Sequence, residues 1–518
     1  MSLINIKPRE YQKAIFETAK KRNTLVVLPT GLGKTLIALM LTVEKKFKYP
    51  ESKVLFLAPT KPLVEQHYNY FKTHLPELFA DFQLFTGSVP AEKRKNIWQT
   101  AEIIFSTPQC IANDLDNYLY DLNDTSLLVI DEAHRCLKNY DYTKAVRYYK
   151  QQSKFPHILG LTASPGHETE KIKQICTNLN IEEIELRTRD SQDVKPYLQD
   201  LDFQKIEVPF PKEFIELRTL LQRIWQDKVD KIRSIFPNIF PINKITLLQL
   251  QKSLSFQIAR GNRAAFSGIS IVAQAIKISH ALELLETQTL SGLYNYLHSL
   301  LAQAKEKKSK AVQFLVKNQD FNAAVVSLEH LRAKHQEHPK IEEIKKITEQ
   351  EFQENKNSKI IIFTQYRETA KIIVNILNNI QGIKASVFIG QAKKSTASGS
   401  SGMSQKEQKQ IIEDFKTSKI NVLCATSIGE EGLDIPEVNA VIFYEPIPSA
   451  IRKIQRAGRT ARLSPGKLKI LVTQDTRDVA HHYASSARER KMHKIIHSMK
   501  EEIKNNNNNK EKTLFDFK

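Results

Sequence analysis

The sequence has few cysteines, and they show no regular spacing. Four occur in 518 residues, and no two form a Cys-x-x-Cys pair. Scattered cysteines of this kind exclude a disulfide framework and give no indication of a structural zinc site. We therefore expect the protein to work in a reducing compartment.

The sequence also lacks long apolar segments. No run of ~18 apolar residues is present, and residues 1–8 do not have the apolar core of a signal peptide. We expect a soluble, cytoplasmic protein without a membrane partner.

Acidic residues are scarce relative to basic ones. The chain has 57 Asp and Glu against 77 Lys and Arg, which gives a formal net charge of +20 at pH 7. A charge of this size favours a polyanionic partner, and nucleic acid is the first candidate. A generally cationic surface is the alternative.

A phosphate-binding turn follows the apolar run Thr24–Leu28 and precedes a helix-forming segment. Backbone N–H groups at the start of such a helix can bind a polyphosphate, with Lys34 on the outer phosphates and Thr35 on a magnesium ion. Leu28 occupies the position of the first glycine of the general motif, so Gly31 and Gly33 must form the turn. The predicted nucleotide-binding residues here are Pro29, Thr30, Gly31, Leu32, Gly33, Lys34 and Thr35.

Asp131 and Glu132 directly follow a second apolar run, Leu127–Ile130. A carboxylate that faces a phosphate loop can hold magnesium, and a second one can activate the attacking water. We assign these roles to Asp131 and Glu132, respectively. Thr162 and Ser164 end a further strand and could bond these carboxylates to relay the nucleotide state, although an ordinary Ser/Thr turn fits equally well.

Short apolar strands alternate with helical segments in two parts of the chain. This pattern predicts an α/β fold with doubly wound parallel sheets, since strands covered on both faces are continuously apolar. The predicted domains are 1–205 and 346–500, with an all-helical insertion over 206–345 and a disordered tail over 501–518. The loop 393–402 is expected to be mobile.

Acidic residues are completely absent from 231–280, within the helical insertion. Cations and phenylalanines without acids are typical of a surface that grips a nucleic-acid backbone. Alternatively, the phenylalanines form a core and the cations a solvated rim. The candidates for phosphate contact are Lys231, Arg233, Lys244, Lys252, Arg260 and Arg263.

Arg459 and Arg462 lie on a predicted helix in the second α/β domain. They are three residues apart, so they share a helix face and can point together at a phosphate. Across a cleft from a P-loop they would act as arginine fingers, which are worth about 10³–10⁵ in rate. In a preceding loop, Gly432 allows close approach to a phosphate or ribose, and Asp434 can accept a hydrogen bond from a hydroxyl.

The order of these motifs resembles that of superfamily 2 helicases. The motifs are Arg9-Tyr11-Gln12, PTGLGKT, APTK at 58–61, STPQ at 106–109, DEAH, LTASP and QRAGRTAR at 455–462. The basic insertion and SQKEQ at 404–408 are similar, more narrowly, to the archaeal Hef helicases, relatives of the Fanconi anaemia M translocase. This resemblance implies two RecA-like motor domains that use ATP and Mg²⁺ to remodel branched DNA in replication-coupled repair, at the nucleoid.

The resemblance also implies roles for individual residues. Gln12 would contact the adenine, and Arg9 and Gln455 would complete the nucleotide site. The residues expected to line the nucleic-acid strand are Thr60, Lys61, Thr107, Thr364 and Thr426.

The C-terminal residues resemble the peptide by which archaeal replication proteins bind the sliding clamp. Leu514 and Phe517 would be its anchors, and a frayed terminus is the alternative. Glu489-Arg490-Lys491 is similar to a nuclease signature, but Ile495 stands where the metal-binding Asp would be, so no nuclease activity is predicted.

Two other functions remain open at this point. Phosphate contacts do not distinguish DNA from RNA, so a double-stranded-RNA-dependent ATPase of the Dicer or RNA-sensor type is one alternative. A junction-binding scaffold that does not hydrolyse ATP is the other.

Overall fold

The computed structural model describes residues 5–391, 395–396, 399–400, 402–426, 435–460 and 465–515. Side chains are described in these ranges except at 395–396, 399–400, 450 and 506–515.

The first domain is a parallel sheet covered by helices. Its strands are β1 (Thr24–Val27), β2 (Lys53–Leu57), β3 (Phe82–Phe85), β4 (Ile103–Ser106), β5 (Thr125–Ile130), β6 (Ile158–Thr162) and β7 (Glu183–Leu186). Its helices are α1 (Glu10–Lys21), α2 (Lys34–Lys48), α3 (Lys61–His74), α4 (Ala91–Thr100), α5 (Pro108–Asp116), α6 (Asp141–Gln152) and α7 (Thr169–Asn178). The strand order is β3-β4-β2-β5-β6-β1-β7, and the central strands are buried along their whole length. The doubly wound fold is confirmed.

The second domain has a six-stranded parallel sheet. Its strands are β8 (Leu201–Val208), β9 (Ile360–Phe363), β10 (Ala385–Phe388), β13 (Val422–Ala425), β14 (Ala440–Phe443) and β15 (Gly466–Thr473), in the order β10-β13-β9-β14-β15-β8. Its helices include α15 (Arg367–Leu377), α16 (Gln405–Lys416) and α17 (Ala450–Ala457). A short antiparallel hairpin, β11 (Ser395–Thr396) with β12 (Gly399–Ser400), lies in the loop predicted to be mobile.

Strand β8 moves the first domain boundary. It pairs with β15 from Leu201↔Gly466 to Val208↔Thr473, so the predicted boundary at residue 205 falls inside a strand of the second sheet. β8 is an edge strand, and residues 202–204 are exposed. Its polar sequence lacks the apolar run that marks a buried strand, and a strand's own sequence does not reveal which sheet it joins.

The insertion is a helical bundle with two cores. It comprises α8 (Ile215–Ile235), α9 (Lys244–Ala259), α10 (Ala265–Thr287), α11 (Leu290–Lys305), α12 (Lys310–Val316) and α13 (Gln319–Ala333). The larger core joins α8, α10, α11, α12 and α13, and a smaller one lies under α9. By length and composition α10 could cross a membrane, but 61% of its most apolar window is buried in the protein, as expected of a core helix.

The next helix, α14 (Lys340–Glu354), belongs to the second domain. Its Ile341, Ile344 and Ile347 share a buried cluster with strand residues of that domain. The predicted boundary at residue 345 therefore moves to the start of this helix.

The last helix, α18 (Arg477–Phe515), runs from the second domain onto the first. Met492, Ile496 and Met499 are buried in the core of the first domain. The segment 501–515, predicted to be disordered, continues this helix, because the apolar side of the preceding turns is anchored against the first domain. Residues 516–518 lie outside the described ranges.

An ion pair without solvent access joins α14 to α18. Lys340 Nζ donates to Asp478 Oδ2, and both side chains are 0% exposed. Lys340 Nζ also donates to Thr287 O at 3.3 Å, so the pair connects the second domain to the insertion.

We predict that Asp478→Ala destabilises this junction. Removal of the carboxylate leaves a buried ammonium without its counter-charge, which costs about 3–5 kcal/mol of unfolding free energy. Urea unfolding followed through Trp225 of the insertion, in a Trp98→Phe background, measures the effect. The control is Asp124→Ala, which breaks the exposed pair Lys154–Asp124 and should leave the midpoint unchanged; equal shifts in the two variants would contradict the prediction.

Candidate nucleotide site and nucleic-acid interface

The P-loop connects β1 to α2. Gly31 and Gly33 have φ of 85° and 74°, in the left-handed region. This backbone conformation favours glycine, and a Cβ at Gly33 would also lie 2.4 Å from Gln12 Nε2 and displace that amide. The turn therefore forms from these two glycines, with Leu28 buried beneath it.

Helix α1 supports this loop. Gln12 Nε2 donates to the carbonyls of Leu32 (3.2 Å) and Gly33 (3.3 Å), and Tyr11 Oη donates to Leu32 O at 2.9 Å. The Arg9 backbone N–H donates to Gln12 Oε1 at 2.9 Å, and the Arg9 guanidinium bonds Tyr11 Oη at 3.2 Å. The amide of Gln12 thus braces the loop, and its contact with adenine stays a prediction.

The groups expected to bind phosphate and metal lie close together. Lys34 Nζ donates to Leu28 O at 2.9 Å. Thr35 Oγ1 is 3.5 Å from Nδ1 of His67, and Nε2 of the same ring is 2.8 Å from Asp131 Oδ2. One imidazole thus joins the two predicted magnesium ligands, and the sequence analysis did not identify it.

The carboxylate of Asp131 is suited to bind a cation. Burial raises the pKa of its carboxyl, but the neighbouring His67 and Lys34 outweigh burial and hold that pKa below its ordinary value. An ionised carboxylate and the Thr35 hydroxyl are the hard oxygen ligands that magnesium prefers. The donor set therefore fits Mg²⁺.

Glu132 adopts a strained conformation. Its φ of 51° and ψ of 47° lie in the left-handed region, which is costly outside glycine and recurs at functional sites. Its Oε2 is 3.2 Å from His134 Nδ1, which is 3.1 Å from Thr162 Oγ1. Thr162 therefore reaches the DEAH segment through His134, and we had expected a direct bond to the carboxylates.

Ser164 contacts the last helix of the chain. Its Oγ lies 2.8 Å from Met492 Sδ, in a buried setting. Because α18 begins in the second domain, this contact ties the end of β6 to that domain. No sequence signal indicates it, since the two residues are 328 positions apart.

The second domain touches the P-loop at one glycine. A Cβ at Gly458 would lie 1.4 Å from Thr30 Oγ1, so only glycine allows this approach. The next residue, Arg459, is thereby placed beside the loop. It follows the end of α17 at Ala457, so the prediction that it lies on a helix is wrong. A cleft of about 620 Å³ lies at this junction, with Pro29 and Thr30 on one side and Ala457 and Gly458 on the other.

Arg456 is enclosed within the second domain, in contrast to an arginine finger, which must reach a phosphate. It is 1% exposed, and its guanidinium lies 4.7 Å from the ring centroid of Phe363 and 5.9 Å from that of Phe443. It therefore anchors α17 on the sheet, and Gln455 beside it is also buried.

Several predicted residues cannot be placed. Gly432, Asp434, Arg462 and Phe517 lie outside the described residues, and the side chain of Leu514 is not described.

The residues expected to line a strand follow adjacent strands of the two sheets. Thr60 and Lys61 follow β2 and Thr107 follows its neighbour β4, and all three are partly exposed. Thr426 follows β13 and is only 6% exposed. The topology therefore brings the first three to one edge of the first sheet.

Thr364 does not meet the expectation of a strand-contacting residue. It is fully buried, and its Oγ1 donates to Glu445 Oε2 at 3.3 Å. Gln288 of the insertion donates to the same oxygen at 3.2 Å, and burial raises the pKa of Glu445 to about 7. Thr364 therefore belongs to the junction between the second domain and the insertion.

Three of the six predicted phosphate-binding cations have acidic partners. The closest N–O distances are 2.8 Å for Lys231–Asp227, 3.5 Å for Arg233–Asp230 and 2.7 Å for Lys244–Glu283. These acids lie just outside the acid-free stretch, which explains why the sequence pattern overstated the unpaired charge.

Of the other three cations, Arg260 and Arg263 lie in the turn between α9 and α10, and Lys252 lies on α9 about two turns before it. Lys252, Arg260 and Arg263 are exposed and have no ion-pair partner among the residues that the structure describes. Arg260 lies 4.2 Å from the ring centroid of Phe256, which is 57% exposed, as is Phe266. We call these five residues the hairpin tip.

Phe236 is a core residue, as the alternative interpretation of the stretch 231–280 predicts. It packs on Gly268 within the smaller core of the insertion. The phenylalanines of the stretch therefore divide between core and surface.

The similar proteins agree with this organisation. Three family models match, in chain order: "Type III restriction enzyme, res subunit" over residues 5–167, "Putative ATP-dependent RNA helicase, helical bundle" over 213–337, and "Helicase conserved C-terminal domain" over 339–464. The last two meet close to the start of α14.

Two curated relatives match most of the chain. A putative ATP-dependent RNA helicase of Methanocaldococcus jannaschii is 38% identical over 496 residues, which is 95% of this chain and 61% of that protein. ATP-dependent DNA helicase Mph1 of Neurospora crassa is 35% identical over 485 residues, 90% of this chain and 41% of that protein. The chain thus spans only part of the length of these relatives.

A solved structure corresponds to nearly the whole chain. The crystal structure of the Pyrococcus furiosus Hef helicase domain matches with a TM-score of 0.70 and 43% sequence identity, over 92% of this chain and 98% of that one. Identity at this level over an entire helicase domain shows common descent as well as a common fold, and the chain belongs to the Hef family of superfamily 2 helicases.

Proposed function

We propose that this protein is an ATP-dependent DNA helicase or translocase, cytoplasmic and nucleoid-associated, that remodels branched DNA such as stalled forks and Holliday junctions. The contact of Gly458 with Thr30 is the observation that carries the proposal. It brings the residue before Arg459 in one domain against the phosphate loop of the other. A nucleotide site shared between two domains is suited to convert hydrolysis into domain motion.

Residues of both domains would have separate roles in ATP hydrolysis. Lys34 would exchange its bond to Leu28 O for the outer phosphates of ATP, and Glu132 would accept a proton from the attacking water. Thr35 and Asp131 would hold Mg²⁺, which when bound neutralises phosphate charge. Arg459 would approach from the second domain and stabilise the charge that develops on the transferred phosphoryl group.

The insertion would move with the second domain. The bond from Lys340 Nζ to Thr287 O and the Gln288–Glu445 contact join them where both are buried, and Arg477 Nη1 donates to Ser279 O of α10 at 2.8 Å. Polar bonds without solvent access resist opening. Closure of the second domain on the first would therefore carry the hairpin tip along the bound strand.

The names of the relatives do not decide between DNA and RNA as the substrate. The M. jannaschii relative is named an RNA helicase and the N. crassa relative a DNA helicase. We favour DNA because the relatives named Fml1 of Schizosaccharomyces pombe and Fancm of Drosophila melanogaster are also DNA helicases. An RNA-dependent ATPase is the second candidate.

The test of the proposed function is an ATPase assay with four nucleic acids. Forked DNA should stimulate hydrolysis more than linear duplex, single-stranded DNA or double-stranded RNA. Lys34→Ala is the blank, since it removes the ammonium from the phosphate loop. Strongest stimulation by double-stranded RNA would favour the second candidate. An ATPase rate equal to that of Lys34→Ala would favour a junction-binding scaffold that does not hydrolyse ATP.

The hairpin tip should supply phosphate contacts. We predict that Lys252→Ala/Arg260→Ala/Arg263→Ala weakens binding to forked DNA. The slope of log K against log salt concentration should become less negative by about 2–3, at ~0.9 for each lost phosphate contact. Fluorescence anisotropy at several salt concentrations measures the slope. The matched control is Lys231→Ala/Arg233→Ala, whose cations already have acidic partners and should change the slope less. Equal slopes for both variants would refute the assignment.

A sliding clamp is a further proposed partner. We propose that residues 513–517 bind it, with Leu514 and Phe517 as anchors. Deletion of residues 510–518 should abolish binding to an archaeal clamp in surface plasmon resonance while the ATPase rate is retained. Clamp binding by the truncated chain would show that the contact lies elsewhere.

A further inference from the structure

His67 lies between the two predicted magnesium ligands. It is the seventh residue of α3, it is 6% exposed, and its ring packs on Phe56 with 4.5 Å between ring centroids. Its Nε2 is 2.8 Å from Asp131 Oδ2, and its Nδ1 is 3.5 Å from Thr35 Oγ1.

The carboxylate of Asp131 determines the direction of one hydrogen bond of His67, and the ring proton then determines the other. An ionised carboxylate can only accept, so Nε2 carries the proton and donates to Asp131. In a ring with a single proton Nδ1 is then an acceptor, and it would receive the hydroxyl proton of Thr35. This arrangement turns the oxygen lone pairs of Thr35 away from the ring and leaves them available to a cation.

We propose that His67 is a positioning residue for the magnesium site, an inference that rests on the proposed function. It holds the Asp131 carboxylate and the Thr35 hydroxyl in one orientation through the two nitrogens of a single rigid ring. The bonds that orient metal ligands usually matter nearly as much as the ligands, and their loss typically costs 10–100-fold in metal affinity.

The position of His67 on α3 extends its role. The helix begins at Lys61, directly after Thr60, and both residues are predicted to contact the nucleic-acid strand. At a rise of ~1.5 Å per residue, His67 lies about 9 Å further along the same helix. A displacement of α3 by a bound strand would therefore reach the metal ligands through this ring.

The test compares two substitutions of similar size. His67→Phe keeps an aromatic ring against Phe56 and loses both hydrogen bonds, whereas His67→Gln keeps a donor for Asp131. Binding of a fluorescent ADP analogue is measured in EDTA and then across a magnesium titration, with the unfolding midpoint of each variant.

We expect His67→Phe to raise the magnesium concentration at half-saturation by about 10–100-fold while ADP affinity in EDTA is unchanged. His67→Gln should recover most of this loss. The matched control is His74→Phe on the same helix, where the ring packs on Tyr70 and should leave the magnesium requirement as it is.

Three results would overturn the inference. An unchanged magnesium requirement in His67→Phe would exclude a positioning role. Equal losses of ADP affinity with and without magnesium, or no recovery in His67→Gln, would show that the ring only supports the fold. A native chain that binds no ADP would instead remove the proposed function itself.

Discussion

The approach of Gly458 to Thr30 is the contact on which the arrangement of the two motor domains depends. Any side chain at position 458 would overlap the threonine hydroxyl, since a Cβ would lie only 1.4 Å away. This close approach lets the backbone of the second domain reach the phosphate loop of the first. The proposed nucleotide site is divided between the domains, because the P-loop and its carboxylates belong to one domain and Arg459 belongs to the other.

Two further sets of contacts define the arrangement of the domains. Helix α18 begins in the second domain, buries Met492 against Ser164 and ends on the first domain, so it crosses the joint beside the nucleotide groups. The insertion is held to the second domain by the bond from Lys340 Nζ to Thr287 O and by the Glu445 network. Under the proposed function these contacts define the two parts that would move, the first domain on one side and the second domain with the insertion on the other.

The charge of the chain is less concentrated than its sequence indicates. The stretch 231–280 has no acids, yet Asp227, Asp230 and Glu283 reach in from its flanks and pair with three of its cations. Asp227 and Asp230 reach their cations along α8, because residues three and four apart on a helix lie together. Glu283 of α10 reaches Lys244 of α9 between the two helices. The unpaired cations of the predicted set are those of the hairpin tip, beside exposed aromatic rings.

The sequence by itself determined the elements and the local motifs. Strand and helix periodicity predicted two parallel sheets with a helical bundle between them, and Gly31 and Gly33 marked the phosphate turn, because these signals depend on neighbours along the chain. Tertiary structure alone decided the contacts between distant segments: β8 joins the second sheet, Thr364 is buried under Glu445, and His67 links Thr35 to Asp131. Such contacts depend on which surfaces meet after the sheets have formed, and no local pattern of residues records that.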